Sequence, residues 1–352
     1  MADLLPPDPV ETPADDEAAL AQALAAAIQD VIQQQYAGAA APKVALRDAH
    51  AKIVSLVRGE LRVLDDLPAS LAHGVFQPGA RYRCWVRLSN GDGTVRSDGE
   101  RDARGLAIKV CGVGEALGDR LPGDTERATQ DFLLIDNPTF FVRNAHDYLE
   151  FVQQKAAGKS PLRWVFARAP WQWRLKELCT MLRLQRAPTS ILAQTFHSMT
   201  PYRLGPNVVK LRARPEQPAV PRTDESFDSL RAAASAQLAT GAARFAIEVQ
   251  PRGDRDLSIE DAAVLWPEAD APFHQVAVLE LPVQPPASAA QRAFGDRLSF
   301  SPWHGLVAHR PLGSLNRMRR AVYPAAATTR HGLNDQKPPF EPTGDEVFPA
   351  DG

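Results

Sequence analysis

Cysteine is scarce, with Cys84, Cys111 and Cys179 the only three in 352 residues. They stand far apart, without the paired spacing of a zinc site, and are too few to brace a secreted scaffold. A disulfide framework is therefore excluded, and a reducing, cytoplasmic setting is expected. No run of about 18 apolar residues occurs, which excludes a transmembrane helix. The stretch Met1 to Asp8 has neither the basic nor the apolar region of a secretory signal. Charge of one sign is lacking too: 40 basic against 42 acidic residues leave −2, so no overall field favours nucleic acid or an anionic membrane as a partner. There is no internal repeat, no phosphate-cradling glycine loop, no nucleophile elbow and no His-Glu-x-x-His.

The chain does have the means to build a core, with 44% apolar and 23% charged residues. Thirty prolines, well above an average share of about 5%, predict many loops and strand ends. The first eleven residues are acidic and proline-bearing, and read as disordered. An amphipathic helix follows, with Thr12 as N-cap and Pro13 at its first position. Leu20, Leu24, Ile28 and Val31 form its apolar stripe, and Gly38 ends it. Its polar face lacks Lys and Arg, so it is expected to pack on the body and not on a membrane.

From about residue 50 the period changes to two. Between 81 and 89, Tyr82, Cys84, Val86 and Leu88 share one face and Arg83, Trp85, Arg87 and Ser89 the other. Segments 104–110, 207–214, 244–250 and 275–283 read as strands as well. Without regular strand–helix alternation, they predict an α+β fold built on a mainly antiparallel sheet or barrel and not a doubly wound one. Segment 145–184 reads as helical with a tryptophan-rich middle, and 224–241 as a shorter helix. Three parts result: a tail and helix over 1–40, the main domain over 41–335, and a polar tail over 336–352.

Spacing alone singles out little. The eight histidines are scattered, and Arg317 to Arg320 reads as a solvated helix face. Arg87 beside Ser89 is unusual, because an arginine on a packing face needs an anionic partner unless it reaches solvent.

The order of short motifs carries more. Arg47-Asp48-Ala49-His50 is followed by Val86-Arg87-Leu88-Ser89-Asn90-Gly91, then by Arg104-Gly105-Leu106-Ala107. Asn137-Pro138-Thr139-Phe140-Phe141 comes next, and near the end stand Phe300-Ser301-Pro302-Trp303-His304, Arg319-Arg320-Ala321-Val322-Tyr323-Pro324 and Arg330. Over roughly residues 45 to 335 this order resembles the haem-dependent catalase superfamily, in particular its small catalase-related peroxidases.

The resemblance implies a closed antiparallel barrel of about eight strands with helices outside, and haem b with ferric iron between them. It makes Tyr323 the proximal phenolate ligand, held ionised by Arg319 one turn earlier; tyrosine is a known ligand for this superfamily's haem. It makes His50 the distal proton carrier and Ser89 the residue that fixes its tautomer. Arg47, Arg87 and Arg330 become clamps for the haem propionates. Tyr148 falls at the haem edge, or is an ordinary helix-face aromatic.

The sequence also departs from the family pattern. It is short, so the family's C-terminal helical domain is expected to be absent, and with it any bound NADPH. An ungapped reading puts Ile135 where the distal asparagine belongs, with Asp136 or Asn137 able to serve if the loop shifts. Ile53 to Val57 replaces a glycine-rich run and is expected to make the distal wall bulky and apolar. The expected function is haem peroxidase, reducing hydrogen peroxide or organic hydroperoxides with an external electron donor and with weak catalase activity at most. The alternatives are fatty-acid hydroperoxide conversion of the allene oxide synthase type, and a non-catalytic haem-binding protein. A homodimer is compatible with this. For the tryptophan-rich, basic stretch 163–186 the expectation is a surface helix packed by its tryptophans, in preference to a lipid contact.

Overall fold

The structure is a computed structural model and describes residues 6–36, 44–336 and 340–349. In chain order its helices are α1 (Glu17–Tyr36), α2 (Ala145–Ala156), α3 (Pro161–Phe166), α4 (Leu175–Leu184), α5 (Ser229–Thr240), α6 (Ala289–Arg297) and α7 (Ser314–Leu333). Its strands are β1 (Ile53–Val63), β2 (Arg81–Asn90), β3 (Arg104–Cys111), β4 (Thr129–Ile135), β5 (Phe196–His197), β6 (Tyr202–Leu204), β7 (Asn207–Pro215), β8 (Ala243–Pro251) and β9 (His274–Leu281). No helix among the described residues is long and apolar enough to cross a membrane.

Every strand pairing is antiparallel. β1 to β4 form a meander, β5 bridges β4 to β7, and β7, β8 and β9 return to β1. Eight strands thus close a barrel, which leaves no free sheet edge. β6 is appended as a hairpin on β7. Alternate residues fill the interior: Val86 and Leu88 meet Leu106, Ile108, Phe132 and Leu134 there. The outer face of β2 is covered as well, because Trp85 packs with Ile53, Leu56 and Phe294. Inward-facing apolar groups on both sides of one wall explain why β2 is buried from Cys84 to Asn90.

Several sequence expectations need correction. α1 begins at Glu17 and not at Pro13, because residues 15 and 16 form a turn. Gly38 lies outside the described residues. Residues 6–11 are ordered by ion pairs that composition does not reveal: Asp8 pairs with Arg203, and Glu11 accepts from the Gly313 amide (2.7 Å). Arg317 is no solvated residue, for its half-buried side chain pairs with Glu11, Glu17 and Glu260. The helical stretch 145–184 is three helices, broken before Pro161, where Ser160 Oγ accepts from the Leu162 amide and caps α3, and again at Pro170. The segment 340–349 packs on the barrel: Glu346 accepts from the Trp85 indole (2.7 Å), and Phe348 lies 4.9 Å from Phe294.

Candidate active site

The outer face of three strands makes the floor of a cavity. The register puts Arg87, Ala107 and Leu133 in one cross-strand row, and Ser89, Gly105 and Ile135 in the next. With glycine and alanine in the middle, the floor stays low. A cavity of about 460 Å³ remains above it, walled by α1, α2 and α7, within the range of small-molecule sites.

His50 enters this cavity from the loop before β1. Its backbone is left-handed (φ 58°), a conformation few side chains adopt and one that concentrates at functional sites. The turn is held from both sides: the His50 amide donates to Gly91 O (2.9 Å), and Arg87 Nη2 donates to His50 O (2.7 Å). The ring Nδ1 lies 3.1 Å from Ser89 Oγ. Only glycine fits beneath the pair, since a Cβ on Gly105 would lie 2.6 Å from Nδ1 and 2.8 Å from Oγ. Burial, helped by the positive charge of Arg87, lowers the imidazole pKa to about 4. The ring is neutral at ordinary pH.

One end of the cavity is strongly cationic. Arg47 donates to Gly295 O (3.1 Å) and Leu298 O (2.8 Å) at the C-terminal end of α6, where the carbonyls carry partial negative charge. Arg330 donates to Asp296 O and to His331 Nε2. Asp296 is 3.4 Å from Arg47 and 3.9 Å from Arg87. Arg87 Nε is buried without a partner among the described residues. Burial pushes all three guanidinium pKa values down, that of Arg330 to about 9. Such an arrangement favours an anion carrying more than one negative charge.

α7, which carries Arg330, also brings Tyr323 and Arg319 to the cavity. Tyr323 packs beside Met318 and Val322 and against Leu24 and Ile28 of α1. Burial raises its phenol pKa, and the positive charge of Arg319 opposes that rise. Arg319 is itself positioned by Asn316 Oδ1 (2.9 Å) and Thr200 Oγ1 (3.4 Å). Tyr148 of α2 reaches the same space, edge-on to Phe140 at 5.7 Å between ring centres.

No protein-family model matches the sequence. Among solved structures, a fungal catalase aligns at a TM-score of 0.66 and 19% identity, covering 87% of this chain and 64% of its own. The fold is that of the catalases. Catalase A from Saccharomyces cerevisiae aligns at 0.59 and 18%, covering 83% of this chain and 64% of its own. A bacterial catalase aligns at 0.60 and 18%, covering 99% and 70%. The chain thus spans about two thirds of the length of the catalases it matches.

Within this catalase fold, His50, Ser89, Arg47, Arg87, Tyr148, Arg319, Tyr323 and Arg330 all line the one cavity. Asn137 does not: its amide turns away to Thr139 O (2.6 Å). Asp136 is likewise outside the lining, accepting from the Arg104 amide (2.9 Å) while burial raises its pKa to about 6. Ile135 alone of the three faces the cavity, because strand alternation through β4 assigns it there. The apolar run Ile53 to Val57 is not a distal wall. Its register on β2 sends Val54 and Val57 into the barrel, and Ile53 and Leu56 under Trp85. The apolar wall comes instead from Phe141 and Phe151, from α1, and from Met181 and Leu184 of α4. Sequence reasoning missed Asp296 and Met181 altogether. The apolar stripe of α1 was their counterpart that could be read.

Proposed function

We propose that the cavity binds haem b with Tyr323 as the phenolate that would hold its iron, and that the protein is a haem peroxidase. Its oxidant would be hydrogen peroxide or an organic hydroperoxide, and its reductant an external donor. The observation that carries this is one cavity lined both by a neutral His50–Ser89 pair at the barrel floor and by Tyr323 with Arg319 on α7. The protein groups fit the cofactor. Apolar walls suit the macrocycle, and three guanidiniums, one with an unpartnered Nε, suit its two propionates.

The bound haem would supply the redox-active metal centre on which peroxide is cleaved. The chain's own groups would do the rest. His50 is neutral above about pH 4, so it can take the peroxide proton and return it to the departing oxygen. With Nδ1 engaged by Ser89, Nε2 is the nitrogen left for that transfer. Arg319 favours the ionised form of Tyr323. Ile135 offers no hydrogen bond to orient a second peroxide, which supports peroxidase chemistry over rapid disproportionation.

A second reading, conversion of fatty-acid hydroperoxides of the allene oxide synthase type, is favoured by Met181, Leu184 and Phe151, which add apolar surface to the cavity lining. The deciding experiment supplies haem to the purified chain and to Tyr323→Phe. The expected result is a high-spin ferric spectrum with a phenolate charge-transfer band that the variant loses, together with peroxide-dependent dye oxidation. Absence of haem binding, or identical spectra, would overturn the assignment. Loss of conjugated-diene absorbance without consumption of a donor would shift it to the second reading.

A further inference from the structure

Residues 155–186 differ from the rest of the chain. They hold eight Lys and Arg side chains and one carboxylate, Glu177, in a protein whose net charge is −2. Of the eight, Arg174 is buried, paired with Asp147 and Glu150, and Lys155 lines the cavity. Arg163, Lys176 and Arg183 are exposed and hold no ion pair among the described residues.

The same segment exposes large apolar groups. Trp171 is 84% exposed, Leu182 63%, Leu162 54% and Leu175 52%, with Phe166 and Trp173 stacked edge-on beside them. α4 is apolar on two sides. Met181 and Leu184 face inward onto the cavity, while Leu175, Cys179 and Leu182 form an outward stripe at i, i+4 and i+7 flanked by Lys176 and Arg183. Isolated exposed apolar residues need no explanation, but a contiguous patch studded with cations does.

We propose that this surface, α3 and α4 with the turn between them, docks on an anionic membrane. Aromatic and aliphatic groups enter the headgroup layer, and Arg163, Lys176 and Arg183 meet lipid phosphates, the pattern expected of an interfacial element. Because the inward side of α4 lines the cavity, docking puts the cavity wall next to the bilayer, where an amphipathic hydroperoxide is concentrated. That consequence rests on the peroxidase reading. The docking itself does not.

The test is vesicle co-sedimentation of the full chain, without added haem or peroxide. Vesicles of phosphatidylcholine with 30% phosphatidylserine, a chosen assay composition of roughly one third anionic lipid, are compared with pure phosphatidylcholine. Binding to the anionic vesicles is expected, falling as salt is raised. Replacing Arg163, Lys176 and Arg183 together by Glu should weaken it about 100-fold or more. Trp171→Ala should weaken it about tenfold and remove most quenching by brominated lipid. No binding to anionic vesicles, or binding indifferent to these substitutions, overturns the proposal. So does a dimer that Leu182→Arg dissociates while vesicles are ignored, which would assign the patch to a second copy of the chain. A loss of haem spectra with vesicle binding intact would instead count against the peroxidase reading alone.

Discussion

At the scale of single residues, the site depends on one strained turn. His50 is held left-handed by a hydrogen bond from Arg87, so the same guanidinium that faces the cavity also aims the imidazole. His50→Ala should lower peroxide-dependent dye oxidation by about 100-fold or more while haem uptake persists, as steady-state rates beside spectra would register. Gly105→Ala should give a comparable loss, since its new Cβ would push into Nδ1 and Oγ. Retention of more than half the activity in that variant would dismiss the His50–Ser89 pair as the working unit. The pH profile follows from the lowered histidine. The ring loses its capacity to accept a proton only when the pH falls through about 4, so the rate should be flat across pH 5 to 7 and lack an acid limb near the ordinary 6.5. Most of these residues were legible because motif order survives in the chain. Asn137 was misread because its role depended on a two-residue loop shift, and alternation along β4 decided for Ile135 instead.

At the scale of elements, strands β3 and β4 carry a buried ionic cluster on the same outer face as the cavity floor. Lys109 Nζ lies 2.5 Å from Glu126 and 2.8 Å from Asp131, and His304 Nδ1 lies 3.2 Å from Asp131. Glu126, Asp131 and His304 stand close enough to share a metal ion, but the ammonium already lies against both carboxylates. Lys109→Ala would leave those two carboxylates buried without their ammonium partner, and should cost about 3–5 kcal/mol in denaturant unfolding. Lys109→Ala, Glu126→Gln should recover part of that loss, because the second change removes one stranded charge. The strands with clean alternation, β2, β3, β7, β8 and β9, were visible in the sequence. β4 was not, since Phe132, Leu133 and Leu134 form a continuous apolar run, and two-residue β5 exists only through its partners. The helical stretch 145–184 was overextended because its proline breaks sit inside an otherwise favourable composition.

For the whole molecule, acid stability is set by histidines folded in the neutral form. Burial lowers His309 to about 3 and His197 to about 4, alongside His50. His309 has a structural reason to stay neutral: its Nε2 accepts a hydrogen bond from the Val75 amide (3.0 Å), under a left-handed Gly74 where a Cβ would lie 2.3 Å away. The unfolded chain binds protons at these rings from about pH 6.5 downward, while the folded chain does not until about pH 3 to 4. Stability is therefore lost as pH falls across that window. For His309 alone the loss by pH 4 is about 3 kcal/mol. Asp136, raised to about 6, and Asp48, Asp102 and Glu126, also raised by burial, work the other way, since their folded forms take up a proton first, but His309 is displaced further than Asp136. Thermal melts followed by circular dichroism should show the midpoint dropping by several degrees or more between pH 7 and 4.5. His309→Gln retains an acceptor for Val75 without a titrating ring, so its melts should fall less steeply with acid than those of the parent. Parallel curves for the two proteins would mean that His309 is not held neutral, and would move the acid sensitivity to the cavity and to β5.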